Sequence, residues 1–368
     1  MRVSPKTEAE LEELLSAPSA RLVDFMGRLD GDIMLLGAAG KVGVTLGMMA
    51  ARAAGEARAA GEVCAAREAH TAQKARAAKA SKKACKVYAV SRFGDAAARA
   101  RLDAAGVTTI ACDLIDREAV AKLPEARNVI FLAGKKFGTS GAQDQTWAMN
   151  TVVPANVADH FKKSRIVVFS TGCVYSLTAP GSGGSVEEDD PEPVGEYAQS
   201  ALGRERVFEY FSRTKNMPVC LFRLNYAIDL RYGVLHDLSL KVRDGEPIDL
   251  AAGTFNCLWQ GDVIERAILA LDLCAVPPYP LNVTGPETIS VRWAAEELGR
   301  RLGREPVFIN AERAGDPVYL SNAALSFSQF GYPRVSLLEM MDMTAEWIGS
   351  GGASLGKPTH FERRDGKY

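Results

Sequence analysis

Residues 31–43 read GDIMLLGAAGKVG, an apolar run (Ile33–Leu36) that ends in glycines at 37, 40 and 43. A strand that breaks into G-x-x-G-x-x-G and then into a helix is the pattern of a dinucleotide-binding turn, and each glycine has a physical task there. Gly37 lets the strand turn sharply, Gly40 lets backbone N–H groups approach a pyrophosphate, and Gly43 lets the next helix pack close to the sheet. The phosphates are expected over a helix N-terminus near Lys41 and Val42, where unpaired N–H groups and the helix dipole favour an anion.

Beyond this turn, short apolar runs recur at Val87–Val90, Thr108–Ala111, Asn128–Leu132, Ile166–Phe169 and Val219–Arg223. Their apolar residues do not alternate with polar ones, which fits parallel strands covered on both faces. Helical stretches lie between them, so the expected fold is α/β, a Rossmann-type doubly wound parallel sheet. Residues 1–30 read as a helical extension with Thr7 as an N-cap, and 31–225 as the dinucleotide-binding domain. Residues 226–347 read as a smaller, partly interleaved substrate-binding region, and 348–368 as a peripheral Gly-, Lys- and Arg-rich tail. One segment interrupts the order: residues 52–86 are rich in Ala, with nine basic and three acidic residues. They have no interleaved aromatics and no clear apolar face, so a solvated helical insertion is expected rather than a nucleic-acid or membrane surface.

Composition narrows the function classes. With 44 Lys+Arg against 45 Asp+Glu the net charge is −1, which makes no electrostatic demand for nucleic acid or anionic membrane. Seven cysteines and four histidines are scattered without metal-ligand or CxxC spacing, so no metal site and no disulfide framework are expected. The N-terminus, MRVSPKTEAELEELL, lacks an apolar signal core, and a cytoplasmic location is expected.

Downstream landmarks, taken in order from the glycine turn, resemble the extended short-chain dehydrogenase/reductase family, its NAD(P)-dependent sugar epimerase/dehydratase group. The resemblance spans roughly 31–340. It implies an adenine contact at Asp113, with Leu114 beside it, in ACDLID, and a cofactor-lining strand end at Ala133, Gly134 and Lys136 in NVIFLAGKKFG. It also implies a cofactor-side asparagine at Asn150 and a catalytic Thr171 in FSTGCVY, with the catalytic tyrosine, which also touches the cofactor, at Tyr197 in EYAQSALGRE. RLNYA supplies Asn225 and ERAGDP supplies Arg313 as substrate contacts, the latter resembling an arginine that grips a nucleotide phosphate. A sugar-like substrate and a homodimer built on helices 150–163 and 197–214 are further implications.

The departures carry as much chemistry as the matches. The family places a lysine four residues after the active tyrosine, and this chain has Ala201. A phenol titrates near pH 10, and a nearby ammonium stabilises its anion. Tyr197 is therefore a weakened base, a base whose cation comes from Lys136 or Arg204, or no base at all. The last case would make the protein a catalytically silent dinucleotide-binding sensor or scaffold. Gly172 and Cys173 stand where 4,6-dehydratases carry an Asp-Glu pair, which argues against that dehydration; Cys173 is a candidate acid for epimerisation. Phe255 replaces an expected phosphate-gripping arginine, so the substrate need not carry a UDP-like group. Tyr175, Trp147 and Trp259 could stack on a sugar or belong to the core. Ser91 and Arg92 end the second strand where NAD-preferring members carry an acid, so NADP is preferred over NAD.

Overall fold

Seven parallel strands form one sheet: β1 (Ile33–Leu36), β2 (Val87–Ser91), β3 (Thr108–Ala111), β4 (Asn128–Phe131), β5 (Arg165–Thr171), β6 (Val219–Leu224) and β7 (Tyr279–Val283). In this computed structural model, which describes residues 4–68, 85–136, 138 and 141–366, their order is β7-β6-β5-β4-β1-β2-β3. Leu36 is level with Val90 on one side and Phe131 on the other, so the order reverses beside β1. At such a reversal the connecting loops leave in opposite directions, and a crevice opens at the carboxyl ends of the strands. This is the expected α/β Rossmann-type fold. β7 is an addition to the expected strands, paired in parallel with β6 from Tyr279↔Cys220 to Val283↔Leu224.

The run Ile33–Leu36 is buried throughout because successive side chains face opposite layers. Leu35, Ile130, Val167 and Phe222 pack with helices α2 (Ala20–Arg28) and α3 (Gly43–Glu68). Met34, Phe131, Val168 and Leu221 face the other layer with Val157 and Phe208. That second layer holds a helix that runs from Gln143–Trp147 through a wide π turn (Ala148–Val152) into Val153–His160, and the long helix Gly195–Lys215.

A separate core lies beyond the strand ends. It gathers Leu235 and Leu238 of the helix Val234–Asp244 with Ala294 and Leu298 of Val291–Leu302 and Met341 and Ile348 of Leu337–Gly349. Leu11 and Leu15 of α1 (Glu8–Leu15), whose N-cap Thr7 accepts from the Glu10 N–H, insert into this same core. The N-terminal segment is thus built into the second region. The first part of the 52–86 segment continues α3; residues 69–84 lie outside the described ones. Among the described residues no helix is long and apolar enough to cross a membrane, and no three His, Cys, Asp or Glu side chains are grouped to hold a metal.

The tail does not behave as the peripheral segment expected from its composition. Leu355 N–H donates to Arg231 C=O, Ser354 Oγ lies 2.9 Å from His236 Nε2, and Thr359 donates through N and Oγ1 to Asp237. Phe361 is buried against Phe255, and Arg364 donates to Asp316 at 2.9 Å. Finally Gly366 crosses Gly195 so closely that a Cβ on Gly195 would lie 2.7 Å from the Gly366 Cα. Residues 354–366 form a strap over the second region, ending two residues from Tyr197. Backbone and side-chain hydrogen bonds and one apolar anchor, Phe361, explain why so polar a sequence is held down.

Candidate active site

The glycine turn lies at the end of β1 as its spacing predicts. Gly37 has φ +92°, and a Cβ there would lie 2.6 Å from the Ala133 backbone nitrogen on the β4 exit, so both conformation and space require glycine. A Cβ on Gly43 would meet the Ala38 carbonyl oxygen at 2.5 Å. Its role is to let the turn close on itself rather than to bring the helix to the sheet. Gly40 differs, because a Cβ there would approach only the Gly37 oxygen, at an ordinary 3.4 Å. Turn hydrogen bonds use the N–H groups of Gly40 and Gly43, whereas Lys41 and Val42, whose N–H groups take no part in them, line the cleft. A dinucleotide pyrophosphate fits this cradle. Replacing Gly40 with Leu is expected to leave the thermal midpoint within about 3 °C, since the folded chain has room. It is expected to abolish cofactor binding, since the side chain projects where the phosphate must approach; an unchanged cofactor titration would remove the assignment.

The cleft above this turn has a volume of ≈ 260 Å³. It brings together Gly37, Gly40, Lys41, Val42, Gly43, Gly134, Lys136, Thr171 and Tyr197 of the residues named from sequence. Leu224, at the end of β6, and Tyr226 and Tyr232, from the second region, join them. Ser91, Arg92, Asp113 and Leu114 stand at the carboxyl ends of β2 and β3, beyond the turn and outside the cleft's lining. Arg92 is exposed there.

Tyr197 is buried on the first turn of the helix Gly195–Lys215 and hydrogen-bonded to Thr171 at the end of β5. Burial pushes its phenol up to about 12; the charge of Arg204 and the Thr171 bond pull the other way. Arg204 lies seven residues after Tyr197, two turns along the same face. Its guanidinium donates to Phe169 C=O at 2.7 Å and to Asn150 Oδ1 at 2.6 Å, and it lines the cleft directly beneath Gly134. A side chain on Gly134 would collide with it. Lys136 supplies a second cation, its Nζ 5.9 Å from the Tyr197 ring centroid. Ala201, by contrast, is fully buried against Val174 and Tyr175.

Other named residues take structural places. Asn150 accepts from Lys135 N–H and donates to Lys135 C=O and Ser200 Oγ, so it clamps the β4 exit to the long helix rather than lining the cleft. Ala133 is buried where β4 ends. Asn225 donates to Asn256 Oδ1 at 2.7 Å and is also out of the lining. Cys173 is buried beside Tyr197 and Tyr319. The structure corrects Arg313: its side chain is about half exposed, is bonded to Asp316, and does not reach the cleft. Tyr175 and Trp259 are each 1% exposed and belong to the interior, not to a sugar-stacking surface. Trp147 instead donates to Glu196.

Neither Tyr226, inside RLNYA, nor Tyr232 was named as a site residue from the sequence. Tyr226 has φ +47°, a costly conformation for a bulky residue, and its carbonyl is held by the Leu258 N–H at 3.0 Å. Strain maintained at a cleft wall is a pointer to function that only coordinates reveal.

Residues 73–228 match the sequence model of the NAD dependent epimerase/dehydratase family. The match starts after the glycine turn and covers less than half of the chain. No curated protein matches by sequence. Solved structures resemble the whole fold more broadly. UDP-glucose 4-epimerase of Thermus thermophilus in complex with NAD is 18% identical with a TM-score of 0.63, over 88% of this chain and 99% of that one. MoeE5 in complex with UDP-glucose and NAD is 20% identical, TM-score 0.61, over 86% and 98%. UDP-glucuronic acid 4-epimerase of Bacillus cereus in complex with NAD is 16% identical, TM-score 0.63, over 86% and 98%. At these identities the likeness establishes the fold.

Proposed function

We propose that the chain is a nicotinamide-dinucleotide-dependent enzyme that oxidises and reduces a carbinol of a small sugar-like substrate bearing no nucleotide. The observation that carries this reading is the Thr171–Tyr197 hydroxyl pair facing a glycine cradle, with Arg204 and Lys136 as neighbouring cations. When bound, the dinucleotide supplies a carbon that accepts or returns hydride. Thr171 Oγ1 holds the substrate oxygen, and the Tyr197 oxygen takes its proton as hydride leaves carbon, then returns it in reduction. Arg204 and Lys136 favour the phenolate and so take over the task that Ala201 cannot perform. Cys173 packs beside Tyr197 but outside the cleft's lining, and its part as an acid in epimerisation remains a proposal of the sequence.

The absence of a nucleotide on the substrate is supported by two features. Phe255, in the place of an expected arginine, packs on Phe361 of the strap, with ring centroids 6.2 Å apart. Arg313 and Arg364 both bind Asp316 instead of standing free for a diphosphate. Val152 and Tyr210, exposed on the paired outer helices, suit a second copy of the chain, and we assign the dimer contact there.

Turnover assays with free hexoses, hexuronates and UDP-hexoses test the function. Oxidation of free sugars or sugar acids is expected. Turnover of UDP-hexoses alone would overturn the substrate reading, and cofactor binding without any turnover would favour the silent binding protein.

Exposed Arg92, at the end of β2, suits the 2′-phosphate of NADP. The substitution Arg92→Glu is expected to shift the NADP/NAD affinity ratio toward NAD by about tenfold or more, by trading an attractive charge for a repulsive one. An unaltered ratio would mean that Arg92 has no part in cofactor choice.

A further inference from the structure

Lys41 has two functions available to it. Its backbone belongs to the glycine turn, but its side chain leaves the turn and crosses to the second region. There Nζ lies 2.6 Å from the centre of the Tyr232 ring. Lys136 reaches the same cleft from the β4 exit. The two ammoniums are close enough that Lys136 helps to lower the Lys41 pKa, after burial as the main cause. No carboxylate among the described residues forms an ion pair with Lys41.

The charges facing this pair come from several elements. Asp229 is fully buried and committed to Arg231, whose Nη2 donates to it at 2.9 Å. Asp237, on the helix Val234–Asp244, acts on both lysines but spends Oδ2 on Thr359 of the strap. Lys357 of the strap adds a further positive charge near Lys41, and Glu362 a negative one near Asp237. Arg231 is shared by Asp229, Glu8 and Glu12, to all of which it donates. Lys41 and Lys136 line the cleft with the Thr171–Tyr197 pair.

We propose that Lys41 and Lys136 form an anion-binding end of the substrate site and that the substrate carries a carboxylate close to the carbon that reacts. The proposal rests on the functional reading above. A carboxylate on Lys136, whose Nζ is 5.9 Å from the Tyr197 ring centroid, lies within a few bonds of an oxygen held by the phenol. Ammonium–carboxylate hydrogen bonds are among the stronger polar contacts a partly buried site can make.

Calorimetric titration of the NADP-loaded protein with a hexuronate, its parent hexose and the hexose 6-phosphate tests this. The hexuronate is expected to bind about tenfold or more tightly than the hexose, as a charge-assisted bond requires. Lys41→Met and Lys136→Met should each erase that preference, so that each variant binds the hexuronate no more tightly than the hexose. Tyr197→Phe should keep the preference, because anion binding does not need the phenol's proton; failure of the catalytic reading alone is thereby distinguishable. Equal binding of hexose and hexuronate overturns the proposal, as do undetectable hexuronate binding and tighter binding of the 6-phosphate. A Lys41→Met variant that weakens NADP rather than the hexuronate also overturns it, since the ammonium then serves the cofactor.

Discussion

Turnover by the Tyr197→Phe variant is expected to fall about 10²–10⁴-fold, the range over which positioned proton transfer contributes. Cofactor affinity should change little, because the ring and its packing beside Cys173 remain. The pH profile sharpens the test. In the wild type the ionised fraction of a phenol rises about tenfold per pH unit below its pKa. Oxidation, which needs the phenolate, should therefore climb from neutral pH towards the Tyr197 value of about 12. Reduction, which needs the neutral phenol, should stay level across the same window. The variant should lose the climb as well as the rate. Full turnover by Tyr197→Phe on an identified substrate would show that the phenol moves no proton, and the catalytic assignment would fall with it.

The second large effect is on stability. Beneath the site, Arg223 on β6 donates through Nε and Nη2 to Glu205 at 3.1 and 2.8 Å, and through Nη1 to the Tyr175 hydroxyl at 2.6 Å. The Tyr175 hydroxyl in turn donates to Asn282 Oδ1 on β7, and Ser170 donates to the same glutamate. The Glu205 side chain is 0% and the Arg223 side chain 5% exposed. Such a pair adds little over an apolar pair of equal volume, but breaking it strands a charge away from water. Arg223→Met is therefore expected to cost about 3–5 kcal/mol. For a chain of this size, that corresponds to a fall in the thermal midpoint of roughly 10 °C. The double variant Arg223→Met/Glu205→Leu should recover part of the loss, since the stranded carboxylate is gone. A loss below about 1 kcal/mol in the single variant would mean that water reaches Glu205, contrary to its burial here.

The first six sheet strands were legible from their short apolar runs; β1, β4, β5 and β6 are buried almost throughout, whereas β3, at the sheet edge, is partly exposed. β7 was not: YPLNV places a proline and an asparagine inside the run, and its register comes from β6 rather than from its own pattern. At the site, the meeting of the glycine turn, Thr171 and Tyr197 in one cleft was legible because the position of each depends on local geometry. The choice between Lys136 and Arg204 for the missing cation was not, since it depends on the space under Gly134, set by a loop and a helix that are far apart in sequence. Both cations stand there. Arg313 misled for the complementary reason, because a local motif does not reveal that Asp316 and the distant Arg364 have claimed the site around it. The tail's Gly- and Lys-rich composition hid its anchoring, which rests on contacts with Arg231, Asp237 and Phe255 that only tertiary structure creates.

That strap has a consequence for how the molecule is made. In synthesis the glycine turn precedes the strap by most of the chain, and chain segments fold in the order they emerge. The cofactor cradle can assemble before residues 354–366 are available. The crossing of Gly366 over Gly195, two residues from Tyr197, closes only once those residues have emerged.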